Sequence, residues 1–444
     1  MDLINWLLSG GSDHQPAVVD GTGILSRRQL RDLVVLRTRE MLQSITAADS
    51  AIALTGSVTR DWLLNYLGAL GTGWPVHLRA NRGDQSVAGW SMRGCGSKSL
   101  YPGLAVCMNT SGSTGRPAEV PLTAPNLIAN GNAIITTLGI TPEDRILCSL
   151  PLTSSFGLSL LHTALGSGGT VCLPEGELNV PTTVEYGRRY GVSIVGFVPI
   201  LARRAALRKE GMDRLPYLRM IQVAGGRLDC STTHILAERL NDKVSLQVMY
   251  GLTEATARVT AYDVRRHADK VGSCGRPIEG VRIRIEGPTG DLLGPGRDGV
   301  VVVSSPGVSP AFARDDGWLA TPDRGHVDVD GFLWITSRSG DFAKIGGKRM
   351  TLLEVEDFLL SFPGVELAAA VAIPDAVYGE RVSALVVPER GRLLSAVEIL
   401  AVARKKLPKV LVPVRLKLVG DLPLTQNGKI DRGRLPELLE GQEG

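Results

Sequence analysis

Met108-Asn109-Thr110-Ser111-Gly112-Ser113-Thr114-Gly115-Arg116-Pro117 follows the apolar run Leu104 to Cys107. Two glycines free this backbone to bend, and four hydroxyl side chains with successive N–H groups can wrap an oxyanion. The composition suits a polyphosphate clamp, although Gly/Ser/Thr clusters also make ordinary surface turns. No Gly-Lys-Ser/Thr ending follows, so the stretch is not a Walker A loop.

Outward from this loop the chain alternates apolar runs with helical periodicity. Ala17 to Val19 reads as a strand, Ser26 as the cap of a helix from Arg27 to Leu42, Ala51 to Leu54 as a strand and Thr59 to Leu70 as a helix. Strands separated by helices predict a parallel sheet. The rhythm continues to Met220–Val223, where a second glycine turn, Ala224-Gly225-Gly226-Arg227-Leu228, falls at a strand end that would open a ligand crevice. Leu246 to Glu254 then delivers an aromatic, a hydroxyl and a carboxylate within five residues, at Tyr250, Thr253 and Glu254. From Gly272 the texture changes to short β runs, Val281 to Ile285, Gly299 to Ser304 and Leu333 to Ile335. Thr336 to Asp341 is polar and turn-forming and marks a domain boundary. Beyond it lies an α+β unit: helix Glu354 to Leu360, strands Ala368 to Ile373 and Val382 to Val387, helix Ala396 to Lys406 and strand Arg415 to Val419.

The bulk numbers agree with an enzyme of this kind. At 444 residues the chain exceeds what one core normally covers, and 43% hydrophobic residues supply ample interior. A net charge of +4, with Lys and Arg scattered, provides no footprint for nucleic acid or a membrane surface. The six cysteines (Cys95, Cys107, Cys148, Cys172, Cys230 and Cys274) form no Cys-x-x-Cys pair and read as reduced core residues. No apolar run approaches the ~20 residues of a membrane span, and the acidic N-terminus lacks the basic region of a signal peptide. The expectation is a cytoplasmic protein without a membrane span.

Six stretches, in this order, resemble the adenylate-forming superfamily of acyl- and aryl-CoA synthetases, peptide-synthetase adenylation domains and firefly-type luciferases. They are Asn109 to Pro117, Tyr250 to Glu254, Gly272-Ser273-Cys274-Gly275-Arg276-Pro277, Asp316 to Asp323, Arg338 to Lys344, and Asn427-Gly428-Lys429-Ile430. The resemblance covers essentially the whole chain and is nearest to the acyl/aryl-CoA ligase branch. It implies an α/β fold with a large N-terminal domain (1–338) of parallel and mixed sheets flanked by helices, including a small β-rich subdomain. A small mobile α+β domain (339–444) follows, carrying the catalytic lysine.

The resemblance also implies a reaction. A carboxylate attacks the α-phosphate of Mg·ATP, pyrophosphate leaves, and an acceptor thiol opens the acyl-adenylate. Thr110, Ser111, Gly112, Ser113, Thr114 and Gly115 match the grip on the β- and γ-phosphates. Tyr250 and Gly251 match the adenine platform, with Gly225 and Gly226 letting backbone approach the ring. Thr253 matches the α-phosphate contact and Glu254 the Mg²⁺-associated carboxylate. Asp323 matches the acceptor of both ribose hydroxyls, with Arg338 as a second ribose or phosphate contact. Lys429 matches the lysine bridging carboxylate and α-phosphate in the first step. Lys344 to Arg349, with Gly347, matches the loop that lines the thiol's path after domain rotation.

Some positions depart from the family pattern. Ala118 stands where a lysine is usual in the phosphate loop, Pro322 replaces a glycine, Ser337 replaces another, and Gly340 occupies the place of an acidic hinge residue. The pocket stretch Pro151 to Leu158, with Ser154, Phe156 and Gly157 joined by Gly226, has no acid to pair an α-ammonium. An unpaired ammonium against Phe156 would be costly, so the implied acid is fatty or aromatic without an α-amino group. Coenzyme A is the implied acceptor. A separate acyl-carrier protein or an amine, as in an amide synthetase, stays open, as does a catalytically silent binding homologue.

Overall fold

The computed structural model describes residues 2–45, 51–55, 58–79, 89–93, 101–110, 118–176, 178–208, 211–338, 342–425 and 428–440. Local chemistry sets the helices where the sequence places them. Ser26 caps Arg27–Ser44 in a reciprocal capping box with Gln29, and Thr59 caps Arg60–Gly71 by accepting from the Trp62 N–H. These two helices pack on each other, and the second covers a five-stranded sheet in the order Gly89–Arg93, Ala51–Thr55, Val76–Leu78, Leu104–Asn109, Glu119–Thr123. The glycine-rich stretch therefore connects the last two strands, which pair antiparallel with Asn109 opposite Glu119.

A nine-stranded sheet carries the parallel run. Ser245–Tyr250, Met220–Val223, Ile194–Phe197, Arg145–Leu147, Thr170–Cys172 and Pro16–Asp20 lie side by side, all parallel, with antiparallel strands at both edges. Their side chains form near-continuous apolar runs, as a sheet covered on both faces requires. The carboxyl ends of its central strands converge on one edge, where Val198, Ala224 and Gly251 begin the connecting loops.

The β-rich region is a four-stranded antiparallel sheet: Arg282–Glu286, Gly299–Ser304, Leu319–Val327 and Leu333–Arg338. Two features differ from the sequence reading. Leu319–Val327 is a full strand despite Pro322 and Gly325, whose breaking tendency is absorbed at register irregularities flanking the pairing. Thr336 to Arg338 continue a strand instead of turning, because Asp323 and Arg324 pair with Arg338 and Ser337.

A separate five-stranded sheet starts at Phe342 and has its own core around Val355, Leu359, Val382, Ala384 and Ile399. It docks on the helix Pro199–Leu207. Ile200 enters an apolar cluster with Leu367, Leu385, Leu422 and Leu435. Beside it the buried Arg203 guanidinium donates to the carbonyls of Leu360 (2.8 Å), Val365 (2.7 Å) and Glu366 (3.1 Å). Arg204 reaches Glu366 and Asp421, and Arg227 makes a two-pronged pair with Asp357. No helix among the described residues is long and apolar enough to cross a membrane.

Arg203→Ala orphans buried acceptors at this joint and is expected to cost about 1–3 kcal/mol, seen as a lower thermal midpoint in calorimetry. Arg204→Ala, at a more exposed pair, should cost under about 1 kcal/mol. Equal shifts for the two variants would show that docking does not depend on Arg203.

Candidate active site

The edge where the central strands end gathers most of the residues picked from the sequence. Tyr250, last residue of its strand, donates its hydroxyl to Asp323 Oδ2 at 2.6 Å. Burial, reinforced by the Asp323 charge, pushes the Tyr250 phenol well above its usual value, so it remains a donor. Asp323 is itself buried on the strand Leu319–Val327, and its Oδ1 faces Arg338 Nε at 3.4 Å. The antiparallel register sets this pair, since Asp323 and Arg338 are direct cross-strand partners.

Gly251 follows Tyr250 for a steric reason. A Cβ there would lie 1.7 Å from the Ala257 carbonyl oxygen, so the returning chain can approach only a glycine. The segment between them is a single 3₁₀ turn, Thr253–Ala255, that presents Thr253 and Glu254. The Thr253 hydroxyl lies 3.3 Å from that of Ser155, a neighbour the sequence reading did not single out. The Glu254 backbone carbonyl accepts from Ser309, while its carboxylate makes no hydrogen bond or ion pair among the described residues. A half-buried carboxylate without a protein partner suits a divalent cation.

Lys429 arrives from the other domain. A bridge between Leu424 and Ile430 closes a tight loop in which Thr425 N donates to Lys429 O (2.7 Å) and Gly428 N to Thr425 O (2.9 Å). Gly428 rests against Val198, and a Cβ at Gly225 would stand 3.7 Å from Lys429 Cε. Gly225 has φ +89°, open to glycine and little else. Burial lowers the Lys429 amine below its usual value of 10.5, and so does the like charge of Arg338, while Asp323 and Glu254 act in the opposite direction. Lys429, Arg338, Asp323 and Glu254 thus share one electrostatic centre. A cavity of about 900 Å³ opens beside it, lined by Ser149, Pro151, Thr153, Val198, Leu424 and Gly428.

The remaining candidates fall into three situations. In the pocket stretch, Ser154 caps the helix Ser155–Gly166, accepting from Gly157 N and donating to Pro151 O, so its hydroxyl is committed to the fold. Gly157 packs against the Pro151 carbonyl, Gly226 faces Pro199, and Phe156 is buried. Thr110 closes the base of the glycine-rich loop, its hydroxyl accepting from Ala118 N at 3.0 Å. Ser111, Gly112, Ser113, Thr114 and Gly115 lie outside the described residues, as does Gly340. Gly347 stands away from the centre, at the exposed tip of the hairpin Phe342–Ile345/Lys348–Thr351, whose two-residue turn has both glycines at positive φ.

Sequence reading also passed over Arg203 and Arg258. Arg258 is a lone charge in the run Ala257-Arg258-Val259, and a charged residue flanked by apolar ones was the available signal.

The chain resembles known proteins along most of its length. A family model described as AMP-binding enzyme matches residues 94–312, and one described as AMP-binding enzyme C-terminal domain matches residues 354–429. A feruloyl-CoA synthase of an Amycolatopsis species is 33% identical over 347 residues, 75% of this chain and 69% of the relative. A 2-succinylbenzoate–CoA ligase of Bacillus velezensis is 31% identical over 347 residues, 76% and 69% of the two chains. Among solved structures, an amide bond synthetase of Marinactinospora thermotolerans superposes with a TM-score of 0.80 at 22% identity, covering 98% of this chain and 99% of that one. That likeness bears on the fold alone.

The charge environment of Lys429 can be read by NMR on reductively ¹³C-methylated protein. The Lys429 signal should titrate below the usual lysine range. Arg338→Ala removes a like charge and should raise its pKa, whereas Glu254→Gln removes a favourable charge and should lower it further. No response to either change would place Lys429 outside this centre.

Proposed function

The chain belongs to the AMP-binding enzyme family, in its acid–thiol ligase branch, and from that premise we propose that it activates a carboxylic acid with ATP and passes the acyl group to coenzyme A. One acid oxygen attacks the α-phosphorus, the bond to the bridging oxygen breaks, and pyrophosphate leaves. The CoA sulfur, as thiolate, then attacks the acyl carbonyl of the mixed anhydride and AMP departs.

The observation that carries this reading is the delivery of Lys429 across the domain joint into the centre formed by Glu254, Asp323 and Arg338. An ammonium there offsets negative charge growing between carboxylate and α-phosphate, where a preorganised cation contributes most. Thr253 would contact the α-phosphate. Asp323, with both oxygens oriented by Tyr250 and Arg338, would accept from the ribose hydroxyls, and the Tyr250 ring with Gly225, Gly226 and Gly251 would receive adenine. The segment 110–115 would hold the outer phosphates. Glu254 would hold Mg²⁺, which when bound neutralises phosphate charge.

We assign the acid to the class without an α-amino group, fatty or aromatic. The stretch Pro151 to Leu158 carries no carboxylate to pair an ammonium, and Ser154 is committed to its helix cap. We further place the division between domains after Arg338, with 339–444 rotating between the half-reactions. In this arrangement Lys429 is at the centre and Gly347 is exposed on its hairpin, which fits the first half-reaction. Rotation would withdraw Lys429 and bring Gly347, Lys348 and Arg349 toward the CoA thiol and phosphates.

Lys429→Ala is expected to cut acid-dependent exchange of labelled pyrophosphate into ATP by at least about 10²-fold. Conversion of preformed acyl-adenylate to thioester should be retained. Equal losses in both half-reactions would remove the assigned role. AMP release should rise on adding CoA; a rate indifferent to CoA but raised by an amine or a carrier protein would replace the acceptor.

A further inference from the structure

The five-stranded sheet sets three metal-ligating side chains against one another, outside the centre described above. His77 and Cys107 are direct partners in the parallel pairing of Val76–Leu78 with Leu104–Asn109, so their side chains leave the same face. Cys107 in turn stands opposite Pro121 of the strand Glu119–Thr123, and Glu119, two residues earlier, shares that face. A ring nitrogen of His77, the Cys107 sulfur and a Glu119 carboxylate oxygen all lie within 4.8 Å of one another. Among the described residues no other three His, Cys, Asp or Glu side chains converge in this way.

Register assembles the group. Each donor comes from a different strand, so no Cys-x-x-Cys spacing announces it. His77 and Cys107 are 8% and 3% exposed, whereas Glu119 is exposed and leaves a way in from solvent. A buried imidazole beside a thiol can be ordinary core packing; a carboxylate brought to both of them completes the three protein ligands of an open zinc site. The donor set is also selective. Mg²⁺ and Ca²⁺ ask for oxygen ligands throughout, while imidazole, thiolate and carboxylate together suit Zn²⁺, with a water completing the tetrahedron. The other described cysteines, Cys148, Cys172, Cys230 and Cys274, belong to no such group, and burial pushes each of their thiols up, away from the thiolate that a metal requires.

We infer that His77, Cys107 and Glu119 form a Zn²⁺ site. On binding, the Cys107 thiol gives its proton to solvent, and sulfur, nitrogen and oxygen each donate a pair to the ion. The place of the donors in the chain gives the site a structural consequence. Cys107 precedes and Glu119 follows the glycine-rich connection, whose base is closed by Thr110 N donating to Ala118 O (2.9 Å) and Ala118 N donating to the Thr110 hydroxyl (3.0 Å). A bound ion pins both strands at that base and ties them to Val76–Leu78. The site itself is independent of the ligase reading.

The test is metal binding by the full chain after chelator treatment, followed with Zn²⁺ and with Co²⁺ as a spectroscopic probe. One equivalent of Zn²⁺ should bind and raise the thermal midpoint, and excess Mg²⁺ should not displace it. Co²⁺ should give the near-ultraviolet absorption of thiolate-to-cobalt charge transfer, and added Zn²⁺ should bleach it. Glu119→Gln, at an exposed position that spares the core, should weaken Zn²⁺ binding at least about 10-fold and lose most of the thermal gain. Cys107→Ser should abolish the cobalt–sulfur band, and His77→Gln should weaken binding as Glu119→Gln does. Should either core variant fail to fold, Glu119→Gln and the wild-type spectrum still decide. A wild type without the cobalt–sulfur band, a band that survives Cys107→Ser, or an unchanged Zn²⁺ affinity in Glu119→Gln overturns the site.

Discussion

Everything at this site depends on a cation crossing a domain joint. Lys429 belongs to a loop of the small domain, yet its side chain meets Gly225 and the charges of Glu254, Asp323 and Arg338 in the large one. Its position is therefore only as well defined as the docking of the helix Pro199–Leu207 against the small domain. Ile200 supplies non-directional attraction there and would tolerate sliding. Arg203, donating to three carbonyls, fixes register, because hydrogen bonds to fixed backbone acceptors are lost on small displacements. The same helix starts at Val198–Pro199, beside Gly428 and Gly226, so the element that fixes the joint also borders the centre.

Much of the architecture was legible in the sequence, because helix caps and apolar runs are local signals. Ser26 and Thr59 mark helix starts that the structure reproduces, and the run Ala396–Lys406 is a helix with the expected bounds. Leu319–Val327 was not legible, since Pro322 and Gly325 erase the strand pattern and the register slips within it are a tertiary property. The reading of Thr336 to Arg338 as part of a turn failed for a related reason, while 339–341 lie outside the described residues. Thr336 to Arg338 look polar because that strand lies in a sheet with one solvated face.

Among the candidate site residues, the spacing Tyr250 to Glu254 could be read from chemistry, but the partnership of Tyr250 with Asp323 could not. The two are 73 positions apart, on strands of different sheets, and are joined by a side-chain hydrogen bond that no local pattern announces. Lys429 was readable only through resemblance, because a lysine beside an Asn-Gly pair is ordinarily a solvated turn residue. Ser154 shows the reverse case. A hydroxyl at a pocket position invites a ligand role, yet three residues before a helical N–H it also fits a cap, and the structure uses it so.

Lys429 and the buried Arg258 obey different physical rules. A lysine taken out of water can surrender its proton, and Lys429 lies between the like charge of Arg338 and the opposite charges of Asp323 and Glu254, so its proton affinity is a compromise. That suits a group whose surroundings change when anionic phosphates arrive and again when the domain departs. Arginine has no such freedom. Arg258 stays charged, its side-chain nitrogens have no hydrogen-bond partner among the described residues, and its backbone is fixed by Asn130, so the Phe156 ring contact offsets only part of the cost of its burial.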